Sequence, residues 1–441
     1  MGLTLCCYAV AEEKLNYLIL LADDISADAF GCYGSPNPNT SPHIDQLAQE
    51  GLKFHNMFVA QATCAPTRAE LYTGLLPFSN GVYMNHKSAK PGLQTMPHRL
   101  QELGYRVGLT GKFHVSPRTN YPFEKVPGFT SACNKKGPIE DDWSGVEQFI
   151  TAPEPFCLVI ASIHAHAPWD AGDTSHWELD ELVLPPSLAD TPETRKYYRE
   201  YLGEVREFDR QVGEARALLK QHGLEKNTVL IVLDENGAGM PGGKWTNYDW
   251  GVRSACVIKW PEVAASEKNA IAQYCDILPT LIEAAGGTAE DLDGRSLLPV
   301  IKGERETHRD YGYFVHNTQA KTAKFSSRAI TDGRYKLIWT ITPEQDFICF
   351  TVNGYQYGFK DKMEDRHVRK MHQSWVNSPQ AESLLNRYTH RPEFQLYDLD
   401  QDPYELENLA QESAHQERLK TLHQKLQEIM AQQDDPGYVY K

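Results

Sequence analysis

The chain has 441 residues, with 44 Lys and Arg against 59 Asp and Glu, so its net charge is −15; nucleic-acid binders usually show a basic excess or stripe, and none is evident here. A hydrophobic fraction of 41% with 10% aromatics supports a large core and excludes an extended disordered chain. No apolar run reaches eighteen residues, so no membrane span is expected.

Residues 1–11 (MGLTLCCYAVA) are apolar and end in Ala9-Val10-Ala11, which reads as a signal peptide of a secreted or periplasmic protein. Residues 17–22 (YLILLA) have the length of a buried strand and run straight into Asp23 and Asp24. Ser41 as N-cap and Pro42 at the first helical position open a helix to Gln49. A further helix closes at Gly104 and leads into a strand over 105–110, and residues 156–162 form another strand. Thr191-Pro192 starts a long helix in which Tyr198, Tyr201, Leu202, Val205, Phe208 and Val212 recur at helical spacing. Strands over 228–233 and 255–258 follow.

Strands alternating with helices predict an α/β sheet covered on both faces, with active residues beyond the carboxyl ends of the strands. Asp23-Asp24, Lys112 with His114, His164 with His166, and Glu235-Asn236 each follow an apolar run. After about Gly303 the character changes. Residues 328–339 read as a hairpin about Asp332-Gly333, residues 355–391 suggest no element, and Leu419, Leu422, Leu426 and Ile429 mark a docked terminal helix. The division expected is a catalytic domain over 12–305 and a smaller antiparallel C-terminal subdomain over 306–441. Nine cysteines show no spacing typical of zinc and read mostly as buried thiols, their pairing open.

The segment Cys64-Ala65-Pro66-Thr67-Arg68, followed by Leu71-Tyr72-Thr73-Gly74, stands between LADD and GKFH. Together with DGRSLLP and YDLDQDPYELENLA further on, it resembles the type I sulfatases of the alkaline phosphatase superfamily. Their C-x-P-S-R-x-x-x-x-T-G signature directs oxidation of the cysteine to formylglycine, and Thr67 stands where Ser is commonest. The resemblance implies an alkaline phosphatase-like large mixed sheet sandwiched by helices. It also implies a maturation enzyme acting on Cys64 and one calcium ion held by Asp23, Asp24, Glu235, Asn236 and the oxygen of modified Cys64. A hydrated formylglycine would offer one hydroxyl to attack sulfur. By the same resemblance Arg68 orients that group, Lys112 and Lys244 contact sulfate oxygens, His114 takes a proton from residue 64, and His166 serves the leaving group. The family commonly has Asp-Asn-Gly where this chain has Asp234-Glu235-Asn236-Gly237, so Asp234 stays open as an alternative to Glu235.

The short stretch from Asn236 to Lys244 is similar to heparan N-sulfatases and related bacterial polysaccharide sulfatases, although N-sulfatases carry arginine at the lysine position. The resulting expectation is O-sulfate hydrolysis on a sulfated mono- or oligosaccharide, with sulfamate cleavage or phosphonate and phosphodiester hydrolysis as alternatives. An inactive sulfated-glycan binder is disfavoured, because Cys64, Arg68, Lys112, His114, His166 and Lys244 all remain. Candidate sugar contacts are Trp169, Asp170, Trp245, Asn247, His316, Lys135 and Lys136.

Overall fold

A computed structural model describes residues 14–133, 137, 139–318, 324–358 and 367–437. The leader reading at 1–11 and the pair Lys135-Lys136 lie outside the described residues. In chain order the strands are β1 (Asn16–Leu21), β2 (Leu52–Phe58), β3 (Arg106–Gly111), β4 (Glu124–Lys125), β5 (Phe156–Ala161), β6 (Thr228–Leu233) and β7 (Arg253–Lys259). They continue with β8 (Ser266–Lys268), β9 (Ala272–Gln273), β10 (Gly312–Asn317), β11 (Ser326–Thr331), β12 (Tyr335–Thr340) and β13 (Phe394–Asp398).

The first nine strands make one mixed sheet in the order β4-β3-β5-β1-β6-β7-β2-β8, with β9 also paired to β2. β3, β5, β1 and β6 are mutually parallel where they pair, in a register that aligns Gly111 with Ala161, Ala161 with Leu21, and Leu21 with Leu233. Whatever follows these four residues therefore leaves the sheet along one edge. β7 runs antiparallel to both β6 and β2, so β2 also ends at that edge, and the helix Cys64–Thr73 starts just beyond it. Alternation along β1 sends Tyr17, Ile19 and Leu21 into one apolar core and Leu18 and Leu20 into the other, as a strand covered on both faces requires.

The long helix is Pro192–Gln221, and Thr191 Oγ1 accepts from the Thr194 amide at its start. Tyr198, Tyr201, Leu202, Val205, Phe208 and Val212 are buried in the second core, as their spacing predicts. The helix Pro42–Glu50 is capped differently from expectation. Ser41 Oγ donates to Asp45, and the first amides of the helix, at His43 and Ile44, donate instead to Asp209 of the long helix. The sequence around Ser41 carries no trace of a cap 165 residues away.

β10–β13 form a separate antiparallel sheet, with the β11–β12 hairpin turning at Asp332 and Gly333. One of its faces meets the first core through Phe314, Ala329 and Ile338; the other receives Leu422, Leu426 and Met430 of the terminal helix Gln416–Gln432. The unassigned 355–391 stretch contains two helices, His367–Val376 and Glu382–Thr389, the first buried through Val368, Met371 and Trp375. No helix among the described residues is long and apolar enough to cross a membrane. All seven cysteines among them are free thiols; Cys32 and Cys133 are half-buried and the rest buried.

Candidate active site

The shared strand edge gathers the predicted acids. Asp23 and Asp24 follow β1, Glu235 and Asn236 follow β6, and Cys64 opens its helix; all five are buried. Ligand atoms of Asp23, Asp24, Cys64 and Glu235 lie within 4.8 Å of one another. Asn236 donates its amide to Asp24 Oδ1 at 3.0 Å and to the Gly237 carbonyl, which leaves Asn236 Oδ1 buried without a hydrogen-bond partner. Glu235 Oε2 is likewise unpartnered. Hard oxygen donors left unsatisfied at this density fit a divalent cation such as calcium.

Asp234, the alternative ligand, is spent elsewhere. It accepts from the Ser254 hydroxyl and, at 2.8 Å, from the Ala255 amide, so it ties β6 to β7. Burial raises its carboxyl to about 8. Asp234→Ala would leave the Ala255 amide buried without its partner. The expected loss is about 1–3 kcal/mol in urea unfolding, with the response of the fold to added calcium retained.

Three cations face the acids. Arg68 Nε stands 2.5 Å from Glu235 Oε1, and Arg68 Nη1 donates to the Lys112 carbonyl at 2.8 Å. Lys112 Nζ donates to Asp23, while Lys244 Nζ reaches Asp24 Oδ1 at 2.7 Å and Cys64 Sγ at 2.8 Å. Burial works against ionising Asp23, but Lys112, His166 and Arg68 together hold its carboxyl well below the usual range. Burial pushes Glu235 up to about 8 despite Arg68. The same burial, with Glu235 beside it, raises the Cys64 thiol. An unmodified thiol here is therefore protonated and a poor nucleophile.

His114 and His166 both border the cavity above this cluster. Burial, with Lys112 and Arg68 nearby, pushes His114 down to about 2, and burial also lowers His166. Both are neutral at ordinary pH rather than cationic. His166 Nδ1 donates to the Ala167 carbonyl at 2.8 Å, which leaves Nε2 as its titrating atom, 3.9 Å from Asp24. His164 is a core residue: its ring pairs with Glu204, and its carbonyl accepts the Asp23 amide.

The cavity holds about 610 Å³, and several of its walls were not foreseen. His86 stands 3.0 Å from His114, ring nitrogen to ring nitrogen, and Cys133 Sγ lies 3.8 Å from Asp23. Asn85, Phe113, Arg118, Ser131, Thr318 and residues 347–351 are further walls not foreseen. Of the sugar-contact candidates, Trp245 and His316 line the cavity. Trp169 is packed in the second core with its indole N–H on the Ala165 carbonyl, and Asn247 is buried against Ser327. Asp170 accepts from the Gly137 amide and stands outside the cavity wall.

Backbone geometry marks the same place. Asp24, His86, His114, Glu235 and Trp245 all have φ between +44° and +73°. Side chains in this left-handed region cost of order 1–3 kcal/mol each and persist where surrounding contacts enforce them, most often at active sites. Gly111, just before Lys112, has φ +83°, and a Cβ there would lie 2.0 Å from the Ala161 carbonyl oxygen. Only glycine fits that approach.

Comparison with known proteins agrees with the geometry. The sulfatase family model matches residues 15–287, and a model of the N-sulphoglucosamine sulphohydrolase C-terminal region matches residues 243–353. An ulvan-active sulfatase of Formosa agariphila is 30% identical over 415 residues, covering 90% of this chain and 76% of that protein. Human N-sulphoglucosamine sulphohydrolase is 25% identical, covering 96% and 91%. A solved structure in complex with its substrate D-glucosamine-2-N,6-O-disulfate superposes with a TM-score of 0.71 at 20% identity, covering 96% of this chain and 99% of that one.

Proposed function

The chain belongs to the sulfatase family and is a sulfuric ester hydrolase with the alkaline phosphatase-like fold, and from that premise we propose that it removes O-sulfate from a sulfated mono- or oligosaccharide. The observation that carries this reading is the buried cluster of Asp23, Asp24, Cys64 and Glu235 under a cavity walled by Lys112, Lys244, His114 and His166. Cys64, once converted by a maturation enzyme to formylglycine and hydrated, would supply one hydroxyl to attack sulfur as the alcohol leaves and a second to expel the sulfate and restore the aldehyde, and Asp23, Asp24, Glu235 and Asn236 would hold a calcium ion that would polarise the ester.

The remaining work falls to the chain's own groups. Lys244 and Lys112 place positive charge where sulfate oxygens meet residue 64. Arg68, fixed between Glu235 and the Lys112 carbonyl, holds the first turn of the helix that carries residue 64. His114 receives the proton of a hydroxyl on residue 64, and burial keeps it neutral and ready to do so. His166 keeps its ring proton on Nδ1, against the Ala167 carbonyl, so its Nε2 must first take up a proton before it can pass one to the departing alcohol.

His86 fixes the state of His114. Because His114 Nε2 is occupied by His86 Nδ1, only His114 Nδ1 is left to exchange a proton with residue 64. For Nδ1 to accept, Nε2 carries the ring proton and donates it to His86 Nδ1, whose own proton then sits on Nε2 and requires the Asn85 amide, 3.3 Å away, to turn its oxygen toward it. His86→Ala should therefore lower kcat by roughly 10- to 100-fold with little change in KM, the usual scale for losing an orienting partner. His86→Gln, which keeps an acceptor, should recover part of the rate; equal loss in both variants would remove the positioning role.

The reading is tested by sulfate release from defined O- and N-sulfated sugars, alongside the mass at residue 64 in protein made with the maturation enzyme. Unmodified cysteine in that protein would sink it. The match to the N-sulphoglucosamine sulphohydrolase C-terminal region favours one second reading, sulfamate cleavage. Lys244 in place of arginine favours the ester, and release from an N-sulfated but not an O-sulfated glucosamine would reverse the choice.

A further inference from the structure

Among the described residues lining the cavity there is no Asp or Glu, although the chain as a whole carries a net charge of −15. Three cations line it: Lys112, Lys244 and Arg118. Lys112 and Lys244 are engaged by Asp23 and Asp24 at the floor. Arg118 has no carboxylate partner among the described residues. Its guanidinium lies 4.5 Å from the centre of the Phe113 ring, directly beside the residue that follows Lys112. Arg118, Phe113 and Lys112 thus line the same cavity, with the guanidinium placed over the Phe113 ring.

The turn that carries Arg118 is fixed before any ligand arrives. Asn120, two residues on and buried, donates its amide to the Lys90 carbonyl at 2.7 Å, and its own carbonyl accepts the Thr95 hydroxyl at 2.6 Å. On the other side, the Ser116 carbonyl accepts the Ala89 amide at 2.8 Å and its hydroxyl meets Ser88. An arginine stacked on an aromatic ring from an anchored turn loses little freedom on binding, and its planar fork matches a carboxylate or sulfate edge better than a lone hydroxyl. A neutral sugar, by contrast, would find no carboxylate acceptor for its hydroxyls on these walls.

We propose that Arg118 binds a second oxyanion of the substrate, so that the preferred saccharide carries, besides the scissile sulfate, another sulfate or a uronate carboxylate. The proposal rests on the sulfatase reading above and specifies its substrate. The experiment uses mature enzyme and three probes: a monosulfated hexosamine, the same hexosamine with a second sulfate, and a monosulfated disaccharide containing a uronate. At least one dianionic probe should exceed the monoanionic one roughly tenfold in kcat/KM, through KM, with the advantage shrinking as salt rises. Which dianionic probe gains identifies the source of the second charge. Arg118→Gln should bring the ratio of dianionic to monoanionic efficiency near one, and Arg118→Lys should keep part of it.

Equal efficiency on all three probes, or a ratio that Arg118→Gln leaves unchanged, overturns the Arg118 assignment while the sulfatase reading stands. Absence of sulfate release from every probe, by protein whose mass shows formylglycine at residue 64, overturns the saccharide reading itself.

Discussion

Cys64→Ala and Cys64→Ser should each lose turnover by on the order of 10⁴-fold or more while remaining folded and able to bind a sulfated saccharide. The size of the loss follows from where the residue stands. Cys64 is buried at the first position of its helix, with Lys244 Nζ at 2.8 Å and both Asp23 and Asp24 within 3.6 Å of its sulfur. Among the described residues the other thiol bordering the cavity, Cys133, lies 3.8 Å from Asp23 but outside the formylglycine signature, so the lysines and histidines around residue 64 have nothing to activate once it is gone. Serine is the sharper test, because it restores a hydroxyl of similar size but cannot become an aldehyde hydrate. The measurement is released sulfate per enzyme, with substrate affinity followed separately by calorimetry. A Cys64→Ser protein running near the wild-type rate would rule out the proposed nucleophile.

The parts of the site that could be read in the sequence are those where a strand ends. β1 and β6 are apolar after their first residues, Asn16 and Thr228, and buried along their whole length, so their ends, and hence Asp23, Asp24, Glu235 and Asn236, stand out by contrast with what precedes them. The helix at Cys64 offers no such contrast. All ten of its residues are buried, including Arg68 and Glu70, and without an exposed face there is no amphipathic period to read. There the short motif, not the pattern, carried the information.

Other features were closed to sequence for reasons of distance. Asp209 caps a helix that starts at Pro42, and His86 meets His114 from 28 residues away; neither pairing leaves a local signature. Which of Asp234 and Glu235 faces the acid cluster depends on which carboxylate β7 claims, a matter of sheet register. The helix His367–Val376 was legible in principle, since Val368, Met371 and Trp375 fall at helical spacing. Its many polar residues and the surrounding aromatics masked that period.

The second large effect concerns the cation. Calcium should raise the unfolding temperature of the wild-type protein and a chelator should lower it, with turnover falling at least 100-fold on chelation and returning on readdition. Charge balance at the floor of the cavity explains the dependence. At neutral pH Asp23 and Asp24 offset two of the three cations Arg68, Lys112 and Lys244, while burial keeps Glu235 largely protonated, so the chain alone offers a sulfate ester about one net positive charge. A divalent ion bound among these acids would enlarge that positive surplus at the floor and so let a chain of net charge −15 accommodate an anion. Distant surface acids matter less, being screened over about 8–10 Å at ordinary salt.

Glu235→Gln isolates the ligand from the general effect of charge. It removes a ligand charge and the ion pair with Arg68 while preserving size and one carbonyl oxygen. Calcium affinity should fall by at least tenfold, and the calcium-induced shift in unfolding temperature should shrink accordingly. Asp234→Ala, one residue earlier, should destabilise the fold yet keep the wild-type calcium response, because its carboxylate belongs to Ser254 and Ala255. The two neighbours therefore separate ligation from architecture. If unfolding of wild-type and Glu235→Gln protein is indifferent to both calcium and chelator, the metal assignment is wrong, and the unpartnered oxygens of Glu235 and Asn236 require another explanation.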